Sequence, residues 1–159
     1  MKKKIVTKVY TDEQVIEKLE HFCAYQERCV ADVKKKLYQL NVSISEYEQF
    51  INYLTEHNFL NEKRFTERFT QGKLNIKNWG KIKISYQLKQ KNIDTNYIEH
   101  ELNCIDDEMY KDKLQQILIK KNKLLKEADE YKKRQKLIIY AQQKGFELDL
   151  ILKTIDKIL

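Results

Sequence analysis

Apolar residues recur along this chain at steps of three and four, the spacing that places side chains on one face of an α-helix. In the first such segment Val15, Leu19 and Phe22 share a face, with Ile16 and Cys23 beside them. The periodicity continues almost to the last residue, and it predicts an all-α fold with short connections. The predicted helices cover residues 12–26, 29–40, 45–57, 61–74, 79–91, 95–105, 107–126, 129–144 and 147–158.

Polar residues at the predicted helix starts support these boundaries. Thr11-x-x-Gln14 and Ser45-x-x-Glu48 both match the capping box, in which two side chains satisfy free backbone N–H groups. The acidic run Asp106–Glu108 is typical of a helix start, because negative charge is favourable at the positive end of the helix dipole. We therefore expect helices to begin beside these residues.

One pattern occurs three times: a helix ends at Asn or Gly, one apolar residue follows, and a second helix begins. Asn41, Asn92 and Gly145 mark the three turns, and such residues tolerate the left-handed backbone that commonly ends a helix. The first copy has three more residues before its second helix than the middle copy. The matching apolar positions are Val33, Leu37, Val42, Phe50 and Leu54 in the first copy, Ile84, Leu88, Ile93, Ile98 and Leu102 in the middle copy, and Leu137, Ala141, Phe146, Ile151 and Ile155 in the last.

This repetition predicts three tandem three-helix modules, each with the outline of a helix-turn-helix. Such small modules bury little surface alone, so neighbours must stack, and we expect an elongated array. The expected divisions are a basic N-terminal tail over residues 1–10 and helical repeats over residues 11–60, 61–105 and 106–159.

Composition narrows the class of protein. The 159 residues include only three Gly and no Pro, which excludes a many-stranded β fold because hairpin turns depend on these residues. No apolar stretch is long enough to span a membrane, and the start of the chain lacks the apolar core of an export signal. Three cysteines without a Cys-x-x-Cys pair argue against a disulfide scaffold. We therefore expect a cytoplasmic protein in which Cys23 and Cys29 are small core residues.

Positive charge is concentrated in two segments of a chain whose net charge is +7, and one of them is Tyr131–Phe146, with five basic residues and no acidic one. From Arg68 to Ile93 there are seven basic residues and no acidic one, whereas Asp94–Tyr110 contains six acids and no Lys or Arg. Basic stripes of this kind attract polyanions or acidic proteins. We expect these cations to be exposed and without a counter-charge. The candidate partner-binding residues are Lys73, Lys77, Lys81, Lys83, Lys89, Lys91, Lys132, Lys133 and Arg134.

Patterns that would indicate catalysis or metal binding are weak. The three glycines cannot build a phosphate-binding loop, and His100 with Cys104 is one pair of possible metal ligands with no second pair nearby. We therefore expect no enzyme activity, no metal and no other cofactor. Trp79 is suited to stacking on a nucleic-acid base, but we favour packing beneath a turn, with Gly80 allowing two backbones to approach closely.

Short motifs follow one another in a specific order through residues 20–105. In the first predicted module, Tyr25 and Arg28 precede Asp32–Leu37. The later motifs are Asn58–Phe65 with Phe69, then Asn78–Ile84, which includes Trp-Gly-Lys, then Leu88–Ile93, which reads Leu-Lys-Gln-Lys-Asn-Ile. Together they resemble the RecX family, whose members regulate the bacterial recombinase RecA. Three residues depart from the family pattern at turns or caps: Asn58 and Asn92 replace Gly, and Cys29 replaces Ser or Thr.

The resemblance implies a fold of tandem three-helix repeats and a function in DNA repair and the SOS response. It implies a non-catalytic regulator that binds the RecA–DNA filament, along its helical groove, and damps ATP hydrolysis, strand exchange and repressor cleavage. We expect a monomer without membrane association. The resemblance leaves open whether the basic helices also contact DNA directly. Two other classes also remain: a helix-turn-helix DNA-binding protein that acts independently of RecA, and a helical adaptor for an unrelated protein.

Overall fold

The computed structural model describes residues 9–159, and the described chain is all-α, with no strand. Most of the basic tail expected over residues 1–10 lies outside the described residues. Within them, no helix combines the length and apolarity that crossing a membrane requires. The helices are α1 (Asp12–Tyr25), α2 (Val30–Gln39), α3 (Tyr47–Glu56), α4 (Glu62–Asn75), α5 (Lys81–Gln90), α6 (Thr95–Asn103), α7 (Asp107–Leu124), α8 (Glu130–Lys144) and α9 (Leu148–Ile158), with a 3₁₀ turn at Ile44–Glu46 before α3. The predicted all-α class is confirmed.

Side chains cap most helix starts, with one correction to the prediction. Thr11 and Gln14 form the expected capping box at the start of α1, and Asp106 accepts from the Met109 N–H at 2.7 Å. The second capping box is not the predicted Ser45-x-x-Glu48. Ser43 and Glu46 form it instead, two residues before the predicted pair. The reason is that the extra residues of the first copy make a 3₁₀ turn at Ile44–Glu46 ahead of α3.

The three repeated turns have the predicted left-handed backbone. The φ angles are 54° at Asn41, 58° at Asn92 and 93° at Gly145. At the end of α8 the Phe146 N–H donates to the Ala141 carbonyl at 3.2 Å and the Gly145 N–H donates to Gln142 at 2.9 Å. These two bonds form the Schellman motif, which satisfies carbonyls left free at a helix end. The equivalent bonds also close α2 at Asn41.

The chain forms two compact units. The first unit comprises the described residues up to Arg68 together with Lys91–Ile93, and the second comprises Phe69–Gln90 and Asp94–Leu159. In the first unit α1, α2 and α3 pack on one another. Its core contains Val15, Leu19 and Cys23 from α1 and all five matching apolar positions of the first copy. The predicted positions of Cys23 and Cys29 in the interior are both confirmed.

In the second unit α5 packs on α6, and α7, α8 and α9 pack on one another. Its buried residues include Ile84, Leu88 and Ile98 of the middle copy and all five matching positions of the last copy. Leu114 and Leu118 of α7 have no exposed surface. The repeated positions are thus core positions except for Leu102, which is half-buried, while the division into three modules and the elongated shape stay predictions.

A close backbone approach fixes the start of α5 against the end of α8. Backbone N–H groups at the start of a helix lack partners within the helix. Here the Gly80 N–H donates to the Lys144 carbonyl at 2.8 Å and the Ile82 N–H donates to the Gly145 carbonyl at 3.1 Å. Between them, the Lys81 N–H donates to the Tyr110 hydroxyl at 2.9 Å. The start of α5 is therefore capped by residues distant in sequence.

Both glycines are required by this approach. A Cβ atom on Gly80 would overlap the carbonyl oxygen of Gly145, and a Cβ on Gly145 would lie 2.6 Å from the backbone nitrogen of Lys83. Gly145 in addition has a positive φ, at which a β-branched side chain is strained. The close approach that the sequence predicted for Gly80 is confirmed.

We predict that Gly80→Ala and Gly145→Val each lower the free energy of unfolding by about 2 kcal/mol or more, since each adds overlap and the second adds backbone strain of roughly 1–2 kcal/mol. Urea denaturation followed by circular dichroism measures the effect.

Two substitutions provide matched controls. Gly72→Ala adds a Cβ with no atom within 4 Å inside α4, so it should stabilise by about 0.5–1 kcal/mol. Asn92→Gly should be neutral or slightly stabilising, because Gly is the usual residue at this cap. Harmless Gly80→Ala and Gly145→Val variants would show that the two backbones do not meet in solution.

Candidate partner-binding surface

The ring of Trp79 lies between two lysine side chains in the second unit. The Nζ atoms of Lys73 and Lys83 are 4.8 Å and 4.7 Å from the ring centroid, within the range of cation–π attraction. The Trp79 backbone N–H donates to the Lys73 carbonyl at 3.0 Å, across a turn in which Asn78 has a positive φ. Trp79 is half-buried, so part of its surface remains open to solvent.

The approach of α5 to α8 also brings Lys144 to the loop that contains Lys77, which precedes Trp79 by two residues. Lys83 Nζ donates to the Gln143 carbonyl at 3.1 Å, and Lys144 Nζ donates to the Lys77 carbonyl at 3.3 Å. We call Trp79 with Lys73, Lys77, Lys83 and Lys144 the Trp79 cluster. The site prediction missed Lys144, although Gly145 beside it marked a repeated turn.

The four lysines of the Trp79 cluster have no carboxylate partner among the described residues. The ion pairs of the described chain use other cations: Arg64, Lys81, Lys91, Lys111, Arg134 and Lys136. Lys73 and Lys83 lie over the aromatic ring, and Lys83 and Lys144 donate to carbonyl oxygens, contacts that hold an ammonium group without cancelling its charge. The cluster is therefore a surface of uncompensated positive charge around an aromatic ring.

The expectation that the candidate cations are exposed and unpaired is wrong at several positions. Lys73 and Lys83 are half-buried, because both pack on the Trp79 ring, and three further candidates have carboxylate partners. Lys81 Nζ lies 3.5 Å from Asp107, Lys91 Nζ lies 2.7 Å from Asp32, and Arg134 lies 2.6 Å from Asp156. The paired side chains of Lys81 and Lys91 are 22% and 29% exposed. Each carboxylate comes from a helix distant in sequence, so a count of charges within one segment could not reveal it.

The remaining candidates vary in exposure. Lys89 and Lys132 are exposed, as predicted, and Lys133 is half-buried. Lys132 lies in the first turn of α8, where its backbone N–H donates to the cap residue Asp129 at 3.0 Å. No described contact joins these three side chains to the Trp79 cluster.

Lys91 belongs to a polar network of the first unit. Asp32 accepts from Lys91 Nζ at 2.7 Å and from both the N–H and the Sγ of Cys29 at 3.2 Å. Partial burial opposes ionisation of Asp32, but these hydrogen bonds outweigh it and hold the pKa of the carboxyl below its ordinary value. Burial raises the pKa of the Cys29 thiol. Lys91 therefore stabilises the fold.

We predict that ionised Asp32 stabilises the folded chain at neutral pH. Because the folded pKa is lowered, this contribution is complete above the unfolded pKa, near 4, and is lost as the pH falls through the folded value. Urea midpoints measured from pH 7 to pH 3 should fall further for the wild type than for Asp32→Asn. Asp112→Asn, a change at an exposed acid of α7, should follow the wild type, and an Asp32→Asn profile parallel to both would contradict the prediction.

We also predict that anions collect at Trp79. Trp79 is the single tryptophan of the chain, so intrinsic fluorescence excited at long wavelength reports on the cluster. Iodide should quench this fluorescence more strongly than caesium at equal ionic strength, because the ammonium groups of Lys73 and Lys83 over the ring attract anions. Lys77→Glu/Lys83→Glu should remove the preference. Equal quenching of the wild type by both ions would show that the positive charge is compensated.

Two models of one family match the chain. The model described as the second three-helix domain of RecX matches residues 61–102, and that described as the third three-helix domain of RecX matches residues 107–155. Together the two matches span more than half of the chain.

Curated proteins named regulatory protein RecX are similar in sequence. The protein from Clostridium tetani (strain Massachusetts / E88) is 36% identical over 114 residues, which are 70% of this chain and 52% of the relative. The protein from Clostridium beijerinckii (strain ATCC 51743 / NCIMB 8052) is 33% identical over 130 residues, or 80% of this chain and 60% of the relative. The chain thus spans about half the length of the curated relatives it matches.

Solved structures agree with the fold. RecX from Lactobacillus salivarius superimposes with a TM-score of 0.77 at 23% identity, over 91% of this chain and 94% of that one. A second crystal structure of a regulatory protein RecX gives a TM-score of 0.82 at 19% identity, over 91% and 72% of the two chains. At these identities the structures show a shared fold alone. With the matches to both domain models and the named relatives, they lead to the conclusion that this chain belongs to the RecX family of regulatory proteins.

Proposed function

We propose that this chain binds the RecA–DNA filament and lowers its ATP hydrolysis, and thereby damps strand exchange and repressor cleavage in DNA repair. Its relatives are named as regulatory proteins, and RecA as the target follows from the resemblance to the RecX family. The observation that supports a binding role most directly is the Trp79 cluster, where four lysines have no carboxylate partner among the described residues.

Like charges gathered at one surface favour a negative partner. The ammonium groups of Lys73 and Lys83 lie over one ring, and the Lys144 side chain reaches the loop before it, so the positive charges repel one another and a bound anionic partner relieves this cost. The aromatic and carbonyl contacts also restrict the lysine side chains before binding, so less side-chain entropy is lost in the complex. A filament of nucleic acid and protein presents both phosphates and carboxylates to such a surface.

The paired cations have a different role in this proposal. Lys81 and Lys91 already neutralise Asp107 and Asp32, so using them in the interface would leave those carboxylates unpaired. We assign the main contact to the Trp79 cluster and secondary contacts to exposed Lys89 and to Lys132, with half-buried Lys133 and Arg134 beside it. Arg134 would first have to leave Asp156.

Tandem modules suit a filament as a partner. We propose helical repeats over residues 11–60, 61–105 and 106–159, acting as a monomer in the cytoplasm, where bacterial DNA is found. Modules in one chain meet successive filament subunits at a high effective concentration, so several weak contacts add up to a stable complex.

The variant Lys77→Glu/Lys83→Glu tests the proposed contact. Each reversal should cost about 1 kcal/mol or more at the interface, so the double variant should bind RecA filaments at least about tenfold more weakly. The inhibition curve of the filament ATPase should shift to higher protein concentration by the same factor. Circular dichroism should show unchanged helix content.

Lys120→Glu/Lys126→Glu is the matched control, because it changes the net charge equally at two exposed lysines outside the cluster. It should bind and inhibit nearly as the wild type does. Equal losses of filament binding in both variants would show that net charge alone causes the effect. An unchanged inhibition curve for the cluster variant would reject this site.

A DNA-binding protein acting without RecA is the second candidate. It is supported by the pair of helices joined by a turn in each copy, at Asn41, Asn92 and Gly145. It predicts tight binding to bare duplex with a sequence preference, a steep decline with added salt and no effect on the RecA ATPase. Co-sedimentation with filaments, with bare DNA as the control, separates the two candidates.

A further inference from the structure

The first unit has an open groove between α2 and α3 that the proposed function does not use. Its volume is about 760 Å³. Three large apolar side chains on its walls are exposed: Val30 by 39%, Tyr38 by 76% and Ile44 by 79%. Tyr47 and Ile51 also line the groove, and both pack against the core of the first unit.

The spacing of the lining residues gives the groove a regular form. Val30, Lys34 and Tyr38 follow one another at steps of four along α2, so they share a face of that helix. Tyr47 and Ile51 have the same spacing along α3. Two rows of side chains, one from each helix, therefore line the groove.

The repeat shows that the fold does not require an apolar surface here. The middle copy matches the first at an offset of 51 residues along α2 and 48 residues along α3. The equivalents of Val30, Tyr38, Tyr47 and Ile51 are Lys81, Lys89, Thr95 and Glu99, all polar or charged. Ile44 lies in the 3₁₀ turn made by the extra residues of the first copy. In the last copy the equivalents of Val30 and Tyr38 are Arg134 and Gln142, whereas those of Tyr47 and Ile51 are Leu148 and Leu152. Exposed Val30 and Tyr38 are thus apolar in the first copy alone and need a reason other than folding.

The charged residues at the rim of the groove indicate the charge that a bound partner would carry. Lys34 and Lys35 line the α2 side and are exposed, whereas Glu48 is the one acid among the lining residues. An apolar groove between two helices suits an amphipathic helix with apolar residues at steps of three and four. Acidic residues along the flank of that helix would meet the two lysines.

We propose that the α2–α3 groove is a docking site for an acidic amphipathic helix of a partner protein. Its apolar stripe lies against Val30, Tyr38 and Ile44, and its acidic flank faces Lys34 and Lys35. This site is independent of the Trp79 cluster and of RecA binding.

The site can be tested by NMR titration of the full isotope-labelled chain with two synthetic helical peptides. Both peptides carry the same stripe of Leu residues, and one has Glu and the other Lys on the flank. The Glu peptide should cause saturable NMR shifts at the amides of Val30, Tyr38 and Ile44. Tyr38→Ser/Ile44→Ser should weaken its binding at least tenfold. Lys34→Glu/Lys35→Glu should exchange the preference of the groove from the Glu peptide to the Lys peptide.

Ile139→Ser, a change at an exposed apolar residue of α8, is the control and should leave binding unchanged. Absence of saturable shifts, shifts that map elsewhere, or equal affinity for both peptides would overturn the proposal. So would concentration-dependent self-association that Ile44→Ser abolishes, because the occupant would then be a second copy of this chain.

Discussion

The meeting of two backbones at Gly80 and Gly145 is the constraint on which the Trp79 cluster depends. The N–H groups at the start of α5 have no described cap from a side chain nearby in sequence, and they donate instead to carbonyls at the end of α8 and to the Tyr110 hydroxyl. A buried N–H left without an acceptor costs about 1–3 kcal/mol. Gly80 is needed for the space, and Gly145 for both the space and the left-handed turn.

This contact also determines where positive charge collects. It brings Lys83 of α5 to the last turn of α8 and brings Lys144 to the loop that contains Lys77. Elsewhere, helices from different parts of the chain supply carboxylates to individual cations, as Asp107 does for Lys81. The cluster stays basic because Lys83 and Lys144 donate to backbone carbonyl oxygens, which accept a hydrogen bond but carry no negative charge.

The sequence predicts local features well and distant ones poorly. The turns at Asn41, Asn92 and Gly145 were predictable because a left-handed cap is a property of one residue and its neighbours. The buried repeat positions followed from periodicity. The Ser45 cap was wrong because a 3₁₀ turn changed the local start of the helix. The pairing of Lys81 and the recruitment of Lys144 depend on helix packing, which no spacing within a segment encodes.

Hydrogen exchange of the full chain, free and bound to RecA filaments, shows which segments the filament covers. If the Trp79 cluster is the main contact, binding slows exchange mainly at the loop before α5, in the first turn of α5 and at the end of α8. Unchanged exchange in these three segments, with protection confined to other helices of a bound chain, would contradict this assignment.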